Sequence, residues 1–238
     1  MTHDEPPIGG ELVLTVPEKP VSQQSSRTEK DRFAQLISEQ VANSGYLLSG
    51  DVKIWIEWYV HEQDRYESDA APDVDNILKP LLDALCGPQG LLIDDCQVQE
   101  VGCNWLDSYD HSQSVEIRIK FFYDEFIEKE GLCFVHLGRG LCFPVNLTIP
   151  PEASLLMLEH LCQRMEQRKM IIELGNEYYR AKYIMPIQRF FHRSRVRRFP
   201  VAEIDELKSR LTKEIEPGRN STEEKLGAPP SPRSCPCG

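Results

Sequence analysis

The chain has 238 residues, 40% of them hydrophobic and 27% charged, with a formal net charge of −11. That length and balance suit one medium domain or two smaller units with buried cores, and exclude collagen-like, coiled-coil and globally disordered architectures. No apolar run approaches the roughly 18 residues of a membrane span, and the opening MTHDEPPIGG lacks a basic and apolar leader pattern. A soluble, unexported, cytoplasmic protein is the expectation, with cysteines as free thiols.

In chain order, residues 1–9 read as a flexible start and Glu11 to Val16 as a short strand, followed by the exposed loop PEKPVSQQSSRTEK. From Thr28, Phe33, Leu36, Ile37 and Val41 recur at helical spacing until Asn43 and Gly45. Val52, Ile54, Ile56, Trp58 and Val60 then alternate with other residues, the period-two pattern of a half-buried strand. An acidic stretch leads into DVDNILKPLLDALCG, whose Ile77, Leu78, Leu81, Leu82 and Leu85 share one helical arc. Because proline has no N–H, that helix is expected to begin late enough for Pro80 to fall in its first turn. LLIDD, QVQEVGCNW and SVEIRIKFFY read as the remaining strands, so residues 10–124 form an α+β domain with a mixed sheet and two helices.

Residues 125–216 read as a second, mainly helical unit: Gly- and Pro-punctuated β-like runs, a long helical pattern over 152–180, and a final helix in EIDELKSRLTKEI. From Pro217 to 238 the composition is that of a disordered tail. The halves differ in charge: residues 1–124 hold 23 Asp/Glu against 9 Lys/Arg, and the remainder 15 against 18.

The chemistry concentrates in residues 72–98. Asp73 and Asp75 enter a helix two positions apart, and Asp94 and Asp95 return about 20 residues later after a short strand. Carboxylates gathered at one point repel unless a cation neutralises them, and hard oxygen ligands suit Mg²⁺ or Mn²⁺. Lys79 lies one turn from both Asp75 and Asp83, within reach of either or of an approaching phosphate. Taken singly, each residue also has a structural reading: Asp73 or Asp75 as a helix cap, Lys79 and Asp83 as a surface pair, Asp94 and Asp95 as a turn.

The combination D-x-D-N-x-x-K-x-x-x-D-x-L followed by D-D-x-Q-V, from Pro72 through Val98, resembles the RusA family of Holliday-junction resolvases. The upstream loop Lys19 to Ser25 and the helix after it are also similar, so the resemblance covers roughly the first 124 residues. It implies a small α+β homodimer that cuts four-way, branched DNA by Mg²⁺-dependent hydrolysis, in recombination and repair. It further implies Asp73, Asp75 and Asp95 as metal ligands and Lys79 as the fourth catalytic residue. Asp94 then supports the cluster, Asn76 orients Asp75 or the helix start, and Asp83 forms an ion pair with Lys79.

A junction-binding protein needs basic residues, since phosphate neutralisation dominates affinity for DNA. Near the loop and first helix, Lys19, Arg27, Lys30 and Arg32 are candidates, of which the first three are the expected contacts. In the second unit, QRFFHRSRVRRFP offers Arg189, Arg193, Arg195, Arg197 and Arg198 among aromatics, a pattern able to hold phosphates and stack on unpaired bases. Against that stands a second reading of the same segment, as a solvated basic surface or a contact with the acidic domain. Two other functions stay open: a nuclease for another nucleic-acid structure, and a non-catalytic DNA-binding or protein-interaction module. Cys235-Pro-Cys237 lacks zinc-ribbon spacing, so the cysteines read as structural thiols.

Overall fold

The structure, a computed structural model, describes residues 5–67, 73–109, 112–175, 177–186 and 188–223, with side chains to residue 216. Part of the expected flexible start (1–4), Pro72 of the motif and the tail cysteines lie outside the described residues.

The first unit contains β1 (Glu11–Val16), α1 (Arg27–Val41), β2 (Tyr46–Leu48), β3 (Val52–Val60), α2 (Glu62–Tyr66), α3 (Val74–Leu85), β4 (Val98–Asp107) and β5 (Ser114–Lys120). Its sheet has the order β1-β5-β3-β4, antiparallel except for the parallel pairing of β3 with β4. That parallel pair needs a crossover, which α2 and α3 supply. The alternating residues of β3 are buried, and with Ile117 and Ile119 of β5 they meet Phe33 and Ile37 of α1 and Ile77, Leu81 and Leu85 of α3 in one core. Helix α1 starts at a capping box in which Ser26 and Glu29 bond each other's backbone N–H.

Two expectations for this region are corrected. Pro80 lies in the interior of α3, not its first turn. The carbonyl that Pro80 cannot serve, that of Asn76, accepts the backbone N–H of Gln23 at 2.8 Å, so the missing helical bond is replaced from the upstream loop. LLIDD is not a strand: Leu92 makes isolated bridges to Leu48 and Cys86, and the chain turns through a short 3-10 segment, Asp95–Gln97.

The second unit contains β6 (Phe126–Glu128), β7 (Leu132–His136), β8 (Leu141–Asn146), α4 (Pro151–Gly175), α5 (Tyr178–Lys182), β9 (Phe191–His192), β10 (Val201–Glu203) and α6 (Ile204–Glu223). The long helical pattern expected over 152–180 is broken after Gly175, a residue of low helix propensity. Helix α6 continues past 217, where the tail was expected to begin. The sheet order is β10-β7-β8-β9, and Leu158 and Leu161 of α4 pack with Leu207 and Leu211 of α6 against its Val135, Phe143 and Val145.

The units are joined by more than a linker. Strand β6 pairs with β2, and a further core cluster combines Leu47 and Ile93 of the first unit with Phe134, Cys142, Phe191, Val196 and Phe199 of the second. Burying these side chains fixes the segment after β9 against the D-D turn.

Candidate active site

Helix α3 and the turn after it carry the acidic motif. Asp73 occupies the N-cap position of α3 but its side chain makes no capping bond, and Asp75 follows in the first turn. Both are exposed, and neither forms an ion pair among the described residues. The cap alternative for Asp73 is thus not what the fold uses. Asn76 Oδ1 accepts from Gln24 Nε2 at 3.3 Å, anchoring the upstream loop to α3. Lys30 steadies that loop by donating to Gln23 O at 2.6 Å, while Arg27 pairs with Asp31 on the exposed face of α1 and Lys19 is exposed.

The D-D turn is set by Gln97, which is fully buried. Its Oε1 accepts the backbone N–H groups of Ile93 (2.8 Å) and Asp94 (3.1 Å), and its Nε2 donates to the carbonyls of Leu48 and Gly50 (both 2.8 Å). Every donor and acceptor of the amide is used, which welds the turn to the end of β2 and the connection that leads into β3. The motif string contained this glutamine, but its role was not read from the sequence. Asp94 caps the 3-10 segment by accepting from Cys96 N–H at 3.0 Å.

Asp95 is the meeting point. Lys79 Nζ donates to Asp95 Oδ2 at 2.9 Å and to Asp83 Oδ1 at 2.5 Å, so the expected Lys79–Asp83 pair forms and is shared with Asp95. Arg195 Nη1 lies 3.3 Å from both Asp94 Oδ1 and Asp95 Oδ1. The hydrogen bond from Lys79 holds the Asp95 carboxyl below its ordinary value of 3.8, against the opposing effect of burial. Burial disfavours the Lys79 charge, but the bonds from Asp83 and Asp95 together outweigh it and raise the ammonium pKa. Beside them, burial pushes the Cys86 thiol up to about 12 and Cys96 to about 11, so neither presents a thiolate at neutral pH.

The arginine segment contacts the acidic unit. Arg198 donates to Cys86 O at 3.0 Å, passing over Gly87, whose φ of +103° and lack of a side chain leave it room. Arg189 pairs with Asp51 and reaches Cys96 O at 3.4 Å. Arg193 turns instead to its own unit, where it and His136 share Glu203. Lys79, Asp83, Asp94, Asp95, Arg195, Arg197 and Arg198 border a hollow of about 240 Å³. A larger cleft of about 540 Å³ is lined by Asp51, Arg168, Lys182 and Arg189 among others, and none of the motif's Asp73, Asp75, Lys79 or Asp95 borders it.

Three hard carboxylates are the right chemistry for Mg²⁺. As arranged here they do not fit one: Asp95 is paired on both oxygens with protein cations, and among the described residues no three His, Cys, Asp or Glu side chains gather as a metal site. The expected trio of Asp73, Asp75 and Asp95 is thus not assembled in this state.

No curated protein matches the chain. The family model described as endodeoxyribonuclease RusA does match, over residues 15–120, which runs from the end of β1 through β5 and takes in the whole acidic motif. Residues 15–120, most of the first unit, are therefore similar to the RusA endodeoxyribonuclease family.

Proposed function

We propose that the chain is a structure-selective endonuclease that resolves four-way DNA junctions, acting as a homodimer in recombination and repair. Asp73, Asp75 and Asp95 are its acidic residues, Lys79 its catalytic cation, and Mg²⁺ or Mn²⁺ its cofactor. One observation carries the reading. In a domain matching a family of endodeoxyribonucleases, Lys79 and Asp95 meet at a hollow whose other wall is Arg195, Arg197 and Arg198.

The two walls divide the work. Lys79 and the arginines neutralise a phosphodiester and the charge that builds on it during cleavage. Asp83 and Asp95 hold the Lys79 ammonium charged and in place. The arginines also supply what the first unit, rich in Asp and Glu, lacks: a positive surface for the DNA backbone. Arg193, engaged by Glu203, is the weakest of the expected contacts.

The cation pairs at Asp95 favour one rival, a DNA-binding module without catalysis, in which Lys79 and Arg195 permanently silence the carboxylate. A single experiment separates the readings. Labelled four-way junction, flap, single strand and linear duplex are incubated with the full chain in Mg²⁺, in Mn²⁺ and in EDTA, with Asp73→Asn as control. Paired nicks confined to the junction, lost in EDTA and in the control, are the expected result. Junction binding without cleavage in either metal establishes the rival, and preferential cutting of another substrate reassigns the specificity.

A further inference from the structure

Positive charge is concentrated in one stretch of the chain. Residues 164–198 hold ten Lys and Arg against three Glu, in a protein whose net charge is −11. Five of the ten belong to the arginine segment already described. The other five, Arg164, Arg168, Lys169, Arg180 and Lys182, lie on the end of α4 and on α5. Helix α5 is anchored by Ala181, which is fully buried, and this turns its tyrosines outward: Tyr178, Tyr179 and, just past the helix, Tyr183 are 54%, 77% and 90% exposed. Three rings so exposed on one short element add nothing to a core and leave their apolar faces in water.

Rings and cations alternate here. Arg168 of α4 lies over the Tyr178 ring, 5.4 Å from its centroid, and Lys182 lies 6.0 Å from that of Tyr179. Tyr178 and Lys182, one turn apart on α5, border the cleft of about 540 Å³ together with Arg168 and Arg189. The two acids at this cleft are engaged by protein: Asp51 pairs with Arg189, and Glu125 accepts the backbone N–H of Asp51. Arg168 and Lys182, by contrast, have no carboxylate partner among the described residues, so the cleft offers two cations free to meet an anion.

We propose that this cleft and the tyrosine face of α5 form a site for single-stranded DNA, in which Arg168 and Lys182 take phosphates while unpaired bases stack on Tyr178, Tyr179 and Tyr183. Every unpaired base has a face to offer a ring, and each phosphate an oxygen pair to offer a guanidinium. A duplex keeps its base faces stacked inside and leaves the tyrosines unused, and an acidic protein segment would use the cations alone. The choice of DNA over RNA rests on the nuclease reading. The site itself is separate, since no residue that borders the cleft also borders the hollow at Asp95. Arg189 links the two by position: it borders the cleft and reaches the carbonyl of Cys96, the residue after Asp95. A strand held in the cleft therefore leads toward the acidic motif, which suits branched DNA with an unpaired arm.

The test uses the full chain in EDTA and the fluorescence anisotropy of a labelled oligothymidylate of about 12 nucleotides, a length within the span of one single-strand site. Beside it are run a hairpin duplex, an oligomer with the same phosphates on abasic sugars, and an oligouridylate. The oligothymidylate is expected to bind about tenfold or more tighter than the abasic oligomer, the scale of one or two stacked bases. Tyr178→Ala/Tyr179→Ala is expected to remove that advantage and Tyr178→Phe/Tyr179→Phe to keep it, with duplex binding unaltered in both. The rings are exposed, so neither pair disturbs the core. Arg168→Gln/Lys182→Gln should make the slope of log K against log salt shallower by roughly 1.4, at about 0.7 for each single-strand phosphate no longer neutralised. Equal binding of the abasic oligomer, or unchanged affinity in the alanine pair, overturns the site. Tighter binding of the oligouridylate overturns its assignment to DNA, and displacement of the oligothymidylate by polyglutamate at equal charge overturns it in favour of an acidic protein segment. A chain that cuts junctions but does not bind the oligothymidylate loses this site and keeps the nuclease reading; one that binds it with the base preference but cuts no substrate keeps the site and loses that reading.

Discussion

The acidic wall of the site and its basic wall are held in place by different physics. Asp94 and Asp95 sit on a turn fixed by hydrogen bonds, four of them made by the single buried side chain of Gln97, two within the turn and two to Leu48 and Gly50. Arg195 and Arg198 are placed by hydrophobic burial, through Val196 and Phe199 in a core drawn from both units. The acidic wall is therefore built and anchored within the first unit, whereas the basic wall exists only because a second unit has docked. On the proposed function, the positive charge that the acidic first unit lacks is supplied by an appended unit that shares a core with it.

The largest expected effect breaks the acidic wall. Asp95→Asn or Lys79→Met should lower single-turnover junction cleavage by about 10²-fold or more, the scale for removing one charged group from a phosphoryl-transfer site, while leaving junction binding measurable. Loss of binding and cleavage in equal proportion would assign these residues to affinity alone. Next comes the shared core. Phe199→Ala should cost about 3 kcal/mol in urea denaturation and also reduce junction binding, although it alters no charge, because it releases the arginines beside it. Full stability, or full binding, in this variant would separate the two walls.

Gln97→Leu should destabilise by about 2 kcal/mol, since it leaves two backbone N–H groups and two carbonyls without their partner inside the fold. The smallest effect is on the acid side. A carboxyl whose pKa is lowered by folding contributes stability that is complete above its unfolded value and is lost as pH falls through the folded one. The Asp95 contribution should therefore disappear below 3.8, and Lys79→Met, which removes the chief cause of the shift, should show a shallower loss of thermal midpoint there.

How much of this the sequence disclosed follows from the same contrast. The motif spacing located Asp73, Asp75, Lys79 and Asp95, and the period-two pattern located β3, because both signals are local. It did not give Gln97 its role, since an amide that satisfies backbone groups of Leu48 and Gly50 leaves no periodicity behind. Pro80 misled the reading of α3 for a related reason: the Asn76 carbonyl that it leaves without a helical partner is served by Gln23, from the distant upstream loop. The arginine segment was visible as composition, but composition does not say what it faces. Only the burial of Phe191, Val196 and Phe199 against Ile93 decides that, and such packing between distant segments cannot be read from either one alone. A signal was present in retrospect: hydrophobic residues interleaved among the arginines mark a segment with one buried side.

The central claim, that two units build one site for DNA, is tested most directly by the salt dependence of junction binding. Wild type and the Arg195→Gln/Arg197→Gln/Arg198→Gln variant are titrated with a labelled four-way junction in EDTA over a range of KCl. If the second unit neutralises the DNA phosphates, the slope of log K against log salt becomes shallower by roughly two to three, at about 0.9 for each phosphate that the variant leaves unneutralised. Superimposable slopes and equal affinities would contradict the claim and return the arginines to a purely structural role between the two units.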